Sequence, residues 1–453
     1  MVFAKILIAN RGEIAVRIIR ACRELGISPV AVYSEADRDS LHVRLADEAV
    51  CIGPSPASRS YLNMHNIISA AKITGAEAIH PGYGFLAENP HFAEMCAAAD
   101  LTFIGPPASA MKRMGAKASA RETMQQAGVP IIPGSPGVVK SWSEASSLAR
   151  EIGFPIMVKA STGGGGRGMR IAHHENDLKK AIQLAQKEAG VTFGDERVYL
   201  EKYLEEPRHI EMQIVADKEG RVVYLGERDC SVQRRHQKIL EEAPSVSLSP
   251  ELREKMGKAA VAAAKAVNYH NLGTVEFLLD RNNQFYFMEM NTRLQVEHPV
   301  TEMVTGIDLG QEQIKLAAGI PLAYRQEDII INGWAIECRI NAEDPEKDFL
   351  PAPGTVTAYL PPGGFGIRVD SCLYPGYTVP SQYDSLLGKL IAWGETRNHA
   401  IERMKRALEE FVIEGVPTTI PFHLEILDNA FYRKGEIYTN FIQRRMGNKT
   451  RAY

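Results

Sequence analysis

The sequence predicts an α/β protein in which a parallel sheet comes first, a small α+β lid follows, and a large antiparallel sheet completes the chain. Three patterns predict this arrangement. Strand-like and helix-like segments alternate at first, a glycine-rich loop then separates two strand-like segments, and alternating segments joined by short turns dominate the rest. Parallel strands need crossover helices, whereas short turns suit antiparallel pairs.

The composition is typical of a globular protein without a strong charge bias. Of the 453 residues, 45% are hydrophobic and 24% are charged, and the formal net charge is −3. This charge gives no electrostatic support for nucleic acid or an anionic membrane as partner, and no apolar run of about 18 residues predicts a transmembrane segment. Six cysteines without CxxC or framework spacing predict free thiols in a reducing cytoplasm.

The first part of the chain predicts a parallel sheet with crossover helices. The predicted strands are AKILIAN, PVAVYS, AEAIHPG and LTFIGP, and the predicted helices are GEIAVRIIRACRELG and YLNMHNIISAAKITG. One further helix, SAMKRMGAKASARETMQQAG, leads into the hinge VPIIPGSPG. The first strand–helix turn has one glycine where a dinucleotide fingerprint needs three, which argues against an oxidoreductase.

Residues from about 135 to 204 predict a lid built of helix, strand, glycine loop, strand, helix and strand. The loop in VKASTGGGGRGMR has five glycines in six positions, which lets backbone N–H groups approach an anion closely. No GxxxxGK[ST] pattern is present, so this is not a Walker loop. With Lys159 on the preceding strand, the loop favours a mobile flap over a polyphosphate, and a plain connector is the alternative.

The third part begins with a hairpin that turns at DKEG. Its first strand alternates, so His209, Glu211 and Gln213 share one face. The following segment carries Gln233, His236 and Lys238. These polar groups favour phosphate or ribose contacts, and a solvated sheet face is the alternative. The remaining predicted elements are helix ELREKMGKAAVAAAKAVNYHN, strand GWAIECRIN, and helices NHAIERMKRALEEFVIEG and PFHLEILDNAF.

A second hairpin, GTVEFLLDRNNQFYFMEMN, places two carboxylates face to face. Folding about Asn282 and Asn283 puts Glu276 opposite Glu289, and two such charges ~5 Å apart repel by roughly 3 kcal/mol. A divalent cation between them would remove the repulsion, and Asn291 supplies a neutral oxygen on the same face. Such an all-oxygen site suits Mg²⁺. A shifted register or a solvated face is the alternative.

The segment NTRLQVEHP is predicted to continue as a strand with Arg293, Gln295 and Glu297 on one face. An arginine fork binds a small oxyanion such as bicarbonate, and a nearby carboxylate can act as base toward it. A surface ion pair is the alternative. The strand GWAIECRIN repeats this pattern with Glu337, Arg339 and Asn341.

The longest motifs resemble the biotin carboxylase family of ATP-grasp enzymes. The motifs are ANRGEIAVRIIRA, HPGYGFLAEN, ASTGGGGRGMR, GERDCSVQRRHQK, EMNTRLQVEHPVTEMVTG and ECRINAEDP. The similarity covers nearly the whole chain, from Ala4 to about Ile442. The resemblance implies an ATP-grasp fold with these parts: an amino-terminal biotin carboxylase domain over 1–114, an ATP-grasp region over 115–334 with the lid at 135–204, a carboxy-terminal domain over 335–446, and a tail over 447–453.

The resemblance also implies residue roles. For ATP it implies phosphate contacts from Lys117, Lys159, Gly165 and Gly166, an adenine-binding hinge of Glu201, Lys202, Tyr203 and Leu204, and nucleotide contacts from His209, Gln233 and His236. For Mg²⁺ or Mn²⁺ it implies Glu276, Glu289 and Asn291. For bicarbonate and biotin it implies binding by Lys238, Arg293, Gln295 and the Val296 backbone, Glu297 as the base, Arg339 against the biotin enolate, and Tyr83 near the biotin pocket.

The activity implied is ATP-dependent carboxylation of biotin by bicarbonate through carboxyphosphate. The biotin would arrive on a separate carrier protein, carboxyltransferase subunits would take the carboxyl group onward, and the chain would be a homodimer. Acetyl-CoA carboxylation, the first step of fatty acid synthesis, is the expected context. Pyruvate or propionyl-CoA carboxylation and another ATP-grasp ligase are the alternatives. Ala116 departs from the family, which commonly has Asp before the lysine at this position.

Overall fold

A computed structural model describes residues 2–161 and 168–447. Its first sheet is parallel, as predicted, and has the strand order β3-β2-β1-β4-β5. The elements are β1 (Lys5–Ile8), α1 (Gly12–Glu24), β2 (Ser28–Ser34), α2 (Leu41–Leu45), β3 (Glu48–Gly53), α3 (Met64–Thr74), β4 (Ala78–His80), α4 (Pro90–Ala98) and β5 (Thr102–Phe103). Strand β3 and helices α2 and α4 were not predicted. Short 3-10 helices lie at Glu35–Asp37, Ala57–Arg59, Gln326–Asp328 and Pro345–Lys347.

The single helix predicted after this sheet is wrong, because the structure has two. They are α5 (Ala108–Gly115) and α6 (Lys117–Gln126). Ala116 separates them with extended backbone angles of φ −94° and ψ 104°. No helical hydrogen-bond ladder can pass through a residue in that conformation, so the direction of the chain changes just before Lys117.

The lid contains a three-stranded antiparallel sheet in the order β7-β6-β8. Its elements are α7 (Trp142–Ile152), β6 (Ile156–Ala160), β7 (Met169–Ala172), α8 (Glu175–Phe193) and β8 (Val198–Lys202). Strands β6 and β7 flank the glycine loop as an antiparallel pair with Val158 opposite Arg170, which confirms the predicted order of strand, glycine loop and strand. Alternating residues such as Val158 and Leu200 pack against the two helices in a small core.

A large antiparallel sheet follows, in the order β13-β12-β9-β10-β11-β14-β19-β18. Its first part is β9 (Arg208–Ala216), β10 (Val222–Arg234), β11 (Gln237–Ala243), α9 (Pro250–Ala266), β12 (Asn271–Leu279), β13 (Phe285–Asn291), α10 (His298–Thr305), α11 (Leu309–Ala317) and β14 (Trp334–Asn341). The remainder is β15 (Glu343–Asp344), β16 (Leu350–Pro351), β17 (Ala358–Leu360), β18 (Ile367–Ser371), β19 (Leu386–Gly394), α12 (Arg397–Glu410), β20 (Val412–Glu414), α13 (Ile420–Asp428), α14 (Ala430–Arg433) and α15 (Phe441–Arg445).

The two faces of this sheet differ in polarity because strand side chains alternate. Ile210, Met212 and Val275 on one face pack against α9, and the same face farther along packs against α12 and α13. The opposite face carries charged side chains, and helix α10 lies over part of it. The core therefore fixes the strands from one side and leaves the other side for a polar site.

Two predicted elements of this region end earlier than predicted: the strand that was to continue through NTRLQVEHP and the helix NHAIERMKRALEEFVIEG. Strand β13 stops at Asn291, and the segment to Glu297 is a loop that ends at the amino terminus of α10. Pro299 lies in the first turn of that helix, where its missing N–H is tolerated, and Leu294 is fully buried in the core beside α1. The predicted helix ending at Gly415 stops at Glu410, since β-branched residues in 412–414 pair with β17 instead.

Among the described residues, none of the helices is both long enough and apolar enough to cross a membrane.

Candidate active site

The polar face of the large sheet collects charged side chains from neighbouring strands. The predicted pair is present, with Glu276 directly opposite Glu289 in the β12–β13 register. Toward the turn a bulge shifts the register by one residue, so that Phe277 faces Phe287. Buried polar residues on this face include His209, Glu211, Gln213, Arg228, Gln233, Glu241, Glu276, Glu337 and Lys389.

Lys238 is at the centre of this cluster. Its ammonium group donates to Glu211 Oε2 at 2.5 Å, Glu276 Oε1 at 2.8 Å and Glu297 Oε1 at 2.6 Å. Burial opposes its charge, but the three carboxylates together raise the pKa of Lys238 well above its usual value. The lysine is therefore a fixed cation whose three protons all point at carboxylates.

Glu297 is deeply enclosed, with 1% of its surface exposed. Arg339 Nη2 donates to its Oε2 at 3.0 Å, while Lys238 binds the other oxygen. Burial acts to raise the pKa of Glu297, but Lys238 and Arg339 outweigh burial and hold it well below the usual value. Glu297 is therefore ionised and held by two cations.

Arg339 bridges Glu297 and a carboxylate on the adjacent strand. Its Nε donates to Glu241 Oε1 at 2.7 Å. Burial raises the pKa of Glu241 to about 7, although Arg339 pulls it down. Glu337, opposite Glu241 in the strand register, is fully buried, and burial raises its pKa well above the usual range. Asn341 is not brought into the cluster, since it donates to Glu343 and Ser385.

The loop after β13 brings Arg293 to the same place, although not as a strand. Its guanidinium donates to Gln295 Oε1 at 2.5 Å, Asn291 Oδ1 at 3.1 Å and Glu88 Oε2 at 2.9 Å. Gln295 in turn donates to Glu276 at 3.0 Å. The predicted grouping of Arg293, Gln295 and Glu297 near one site is thus met by a loop that folds back over the sheet.

The donor set at Glu276 fits a hard cation. Glu289 is the cross-strand partner of Glu276. Asn291 is adjacent: its Nδ2 donates to Glu276 Oε1 at 2.8 Å, and its Oδ1 accepts from Arg293 at 3.1 Å. The ligand atoms of His209, Glu211 and Glu276 also lie within 4.8 Å of one another. Two carboxylates and an amide oxygen at the end of one hairpin are the ligands that Mg²⁺ takes from proteins.

His209 and Gln233 form a pair on this face. Gln233 Nε2 lies 2.7 Å from His209 Nδ1, and His209 Nε2 lies 2.9 Å from Glu276 Oε2. His236, in contrast, is exposed in the turn between β10 and β11 with φ 64°. The structure therefore brings His209 and Gln233 to the cluster and leaves His236 at its edge.

Comparisons with known proteins give the family of this chain. Three family models match: biotin carboxylase, N-terminal domain, over residues 2–111; carbamoyl-phosphate synthase L chain, ATP binding domain, over 116–325; and biotin carboxylase C-terminal domain over 337–444. Biotin carboxylase 1 of Bacillus subtilis is 62% identical, with 97% of this chain and 98% of the relative covered. The chain belongs to the biotin carboxylase family. It is therefore an ATP-dependent ligase with the ATP-grasp fold.

Two more relatives extend the comparison beyond enzymes named biotin carboxylase. The pyruvate carboxylase subunit of Methanothermobacter thermautotrophicus is 56% identical, with 97% of this chain and 89% of the relative covered. The biotin carboxylase domain dimer of Hydrogenobacter thermophilus 2-oxoglutarate carboxylase, solved with MgADP, ADP and bicarbonate, is 51% identical, with both chains fully covered and a TM-score of 0.92.

The biotin carboxylase lid places its described ATP-site candidates near the ends of β6 and β8. Lys159 and Glu201 form an ion pair across these strands, and Arg121 donates to Glu201 at 3.0 Å. Lys202 donates to the carbonyls of Gly153 and Phe154 at 2.9 and 2.8 Å. Two further candidates, Tyr203 and Leu204, directly follow β8, and Lys117 begins α6. The remaining two, Gly165 and Gly166, lie outside the described residues.

Tyr83 reaches this biotin carboxylase site from the first part of the chain. Its hydroxyl donates to Glu13, which forms an ion pair with Lys389 at 3.3 Å. Lys389 also donates to the carbonyl of Val296 at 2.9 Å. The candidate biotin residue and the candidate bicarbonate backbone are thus connected through one buried ion pair.

Sequence reasoning missed several residues of the cluster, above all Arg228. Its guanidinium is fully buried and donates to Glu211 at 2.5 Å, Gln213 at 2.7 Å and Thr301 at 2.9 Å. A signal would have required the bulge between Tyr224 and Glu227, which shifts the β9–β10 register so that Arg228 pairs with Glu211 rather than with Ile210. Glu88 and Glu13 had no such signal, since they come from a distant part of the chain.

Proposed function

We propose that this chain carboxylates biotin at the expense of ATP, with Glu297 as the base that deprotonates bicarbonate. The observation that carries the proposal is the position of Glu297, a buried carboxylate held by Lys238 and Arg339 beside the Arg293 loop. The solved relative from H. thermophilus contains MgADP and bicarbonate, which supports the same ligands here. A carboxylate in hydrogen-bond reach of a bound anion suits general-base chemistry.

Bicarbonate would lie between Lys238, Arg293, Gln295 and the backbone of Val296. Arginine offers a fork that matches the planar anion. Glu297 is a poor base while two cations hold its charge. When bicarbonate takes up hydrogen bonds from Lys238, Glu297 loses part of that stabilisation and its affinity for a proton rises. Anion binding would in this way prepare the base that acts on the anion.

ATP would bind between the lid and the large sheet. The phosphates would contact Lys117, Lys159, Gly165 and Gly166, the adenine would meet the hinge of Glu201, Lys202, Tyr203 and Leu204, and His209, Gln233 and His236 would contact the rest of the nucleotide. Lys159 is paired with Glu201 at the base of the glycine loop, so the phosphates would compete with that carboxylate. Closure of the lid would exclude water, which would otherwise hydrolyse carboxyphosphate.

Glu276, Glu289 and Asn291 would hold Mg²⁺ or Mn²⁺. The donor set fits such an ion, since the two carboxylates face each other in register and the amide is adjacent. When bound there, the ion would neutralise charge on the transferring phosphoryl group. Bicarbonate oxygen then attacks the γ-phosphorus, ADP leaves, and carboxyphosphate forms.

Carboxyphosphate would break down to CO₂ and phosphate inside the closed site. The phosphate would take the N1′ proton of biotin, and the resulting enolate would attack CO₂ through N1′. Arg339 would stabilise the enolate oxygen, because arginine keeps its charge throughout. Tyr83 would line the biotin pocket near Arg339.

The domain limits given above are part of this proposal, with the limits of the three family matches in support. Biotin would be presented by a carrier protein, and carboxyltransferase subunits would complete the overall reaction. A homodimer is proposed because the H. thermophilus relative is described as a dimer. A cytoplasmic location is proposed from the six free cysteines.

The final acceptor of the carboxyl group would be acetyl-CoA, and its carboxylation would be the first step of fatty acid synthesis. The 62% identity to biotin carboxylase 1 of B. subtilis supports the biotin carboxylase half-reaction, and acetyl-CoA follows from the family resemblance. Pyruvate is the second candidate, favoured by the 56% identity to the M. thermautotrophicus pyruvate carboxylase subunit. Carboxyl transfer from the charged carrier to acetyl-CoA or to pyruvate, with matching carboxyltransferases, would separate the two.

ADP release by the purified chain with Mg²⁺ tests the half-reaction. We expect release to require bicarbonate, to increase with free biotin, and to fall by about 10²-fold or more in Glu297→Gln, which keeps the shape but not the base. ADP release that depends on neither bicarbonate nor biotin would contradict the substrate assignment but not the ATP-grasp fold.

A further inference from the structure

A buried ion pair joins the first part of the chain to the large sheet beneath the site. Glu13 is in the first turn of α1, and Lys389 is in the middle of β19. Their exposed fractions are 3% and 0%, and Glu13 Oε2 lies 3.3 Å from Lys389 Nζ. Paired charges this far from water are costly to keep unless the surrounding structure uses them.

Each partner holds a different side of the site. Lys389 donates to the Val296 carbonyl at 2.9 Å, one residue before Glu297 begins the turn into α10. Glu13 accepts the hydroxyl of Tyr83. The bond from Lys389 to the Val296 carbonyl fixes the orientation of the peptide that leads into Glu297. The bond from the Tyr83 hydroxyl to Glu13 fixes the position of the Tyr83 ring.

Glu337, Asp370 and His298 also lie near Lys389, but its direct contacts are to Glu13 and to the Val296 carbonyl. Asp370 is the cross-strand neighbour of Lys389, but its carboxylate is bound by both Nε and Nη2 of Arg368, at 2.9 and 2.7 Å. Arg339 is the other cross-strand neighbour of Lys389 and directs its donors to Glu241 and Glu297. Lys389 is therefore directed away from its sheet neighbours, toward Glu13 and the Val296 loop.

We propose that Glu13 and Lys389 act as a positioning pair that sets the bicarbonate loop through Val296 and the biotin pocket through Tyr83. The inference rests on the proposed function, because the roles of Val296 and Tyr83 come from it. The pair would contact neither substrate. Its effect would be on the affinity for bicarbonate and biotin and on the alignment of Glu297.

Lys389→Met tests the proposal. Losing a hydrogen bond and a charge partner should raise the KM for bicarbonate and for biotin by about tenfold or more. The KM for ATP should stay within about twofold, since Lys159 and Glu201 lie on the lid. The readout is the initial rate of ADP release with each substrate varied in turn.

Arg253→Met is the matched control. Arg253 binds the buried Glu227 at 2.7 and 2.8 Å from helix α9, outside the cluster. Both variants leave a buried glutamate without its cation, so both should lower thermal stability. Only Lys389→Met should change the two KM values. Equal kinetics in the two folded variants would overturn the positioning role.

Glu13→Gln gives a second test that keeps the shape of the side chain. The amide oxygen can still accept from Tyr83, but the ion pair to Lys389 is gone. We expect the KM for bicarbonate to rise, with a smaller change for biotin. Wild-type KM values for both substrates would overturn the proposal. A wild-type chain without bicarbonate-dependent, biotin-stimulated ADP release would instead overturn the proposed function and this inference with it.

Discussion

Glu276 and Glu289 face each other across a hairpin, and this placement is the basis of the proposed cation site. Their register is the one predicted from the turn. Like charges directly opposite each other weaken a strand pair, so the pair is useful where a divalent ion offsets the repulsion. Glu276 also accepts hydrogen bonds from Lys238, Asn291 and Gln295. Glu289 lies at the exposed edge of the site. The exposed partner is therefore the better one to change.

Glu289→Gln should raise the Mg²⁺ concentration needed for half-maximal ADP release by about tenfold or more, because a carboxylate ligand becomes a neutral amide. The measurement is a titration of activity with Mg²⁺ at saturating ATP and bicarbonate. Glu254→Gln, an exposed change on α9, is the control and should leave the titration unchanged. An unchanged Mg²⁺ requirement in Glu289→Gln would contradict the metal assignment.

Single residues could be predicted where local pattern alone places them. His209, Glu211 and Gln213 share a face because they alternate on a strand, and Glu276 meets Glu289 because a turn fixes the register. Glu88, Glu13 and Lys389 could not be found, because their contacts join segments about 200 to 380 residues apart. No local periodicity encodes a contact of that kind.

At the scale of elements, the lid depends on a close approach between its two central strands. Gly168 follows the glycine loop at φ +70°, and an added Cβ would lie 2.9 Å from Ala160 Cβ. A left-handed φ costs about 1–2 kcal/mol for a residue with a side chain, and the contact adds to that. The β6–β7 pair therefore requires glycine at this position.

Gly168→Ala should displace β7 from β6 and so disturb the loop between them. We expect the KM for ATP to rise about tenfold, since the predicted phosphate contacts come from that loop, with little change in the KM for bicarbonate. Gly220→Ala is the control, because it has a similar φ of +89° in the β9–β10 turn but open space around the new Cβ. Equal ATP kinetics in the two variants would contradict this role of the lid hairpin.

Helices and strands could be predicted where the hydrophobic periodicity was unbroken. The predictions failed where tertiary packing overrode that periodicity. The helix predicted through Ala116 divides there, although both halves have helix-forming residues. The alternation of residues 293 to 297 resembled a strand, but burial of Leu294 and the start of α10 fold it into a loop. That loop still brings Arg293 to the sheet face, so the predicted grouping holds although the predicted strand does not, and the role of Arg293 stays a prediction.

At the scale of the whole molecule, buried histidines and buried glutamates change the free energy of unfolding in opposite directions over the same pH range. Burial lowers the pKa of His42 and of His423 to about 4, so the unfolded chain binds protons first as the pH falls from 6.5. Burial raises the pKa of Glu13 and of Glu241 to about 7, so there the folded chain binds protons first. The two effects offset each other in the free energy of unfolding.

His42→Gln would reveal the histidine contribution by removing it. The wild type loses stability at His42 as the pH falls below 6.5, whereas glutamine, which can still donate to the Val32 carbonyl, loses none. The stability of the variant relative to the wild type should therefore rise by about 1.4 kcal/mol per pH unit down to pH 4, or about 3 kcal/mol in total. Urea unfolding of both proteins between pH 7.5 and pH 4 measures it. A difference that stays constant over this range would show that His42 is protonated alike in the folded and unfolded chains, and that its burial does not shape the acid stability of the molecule.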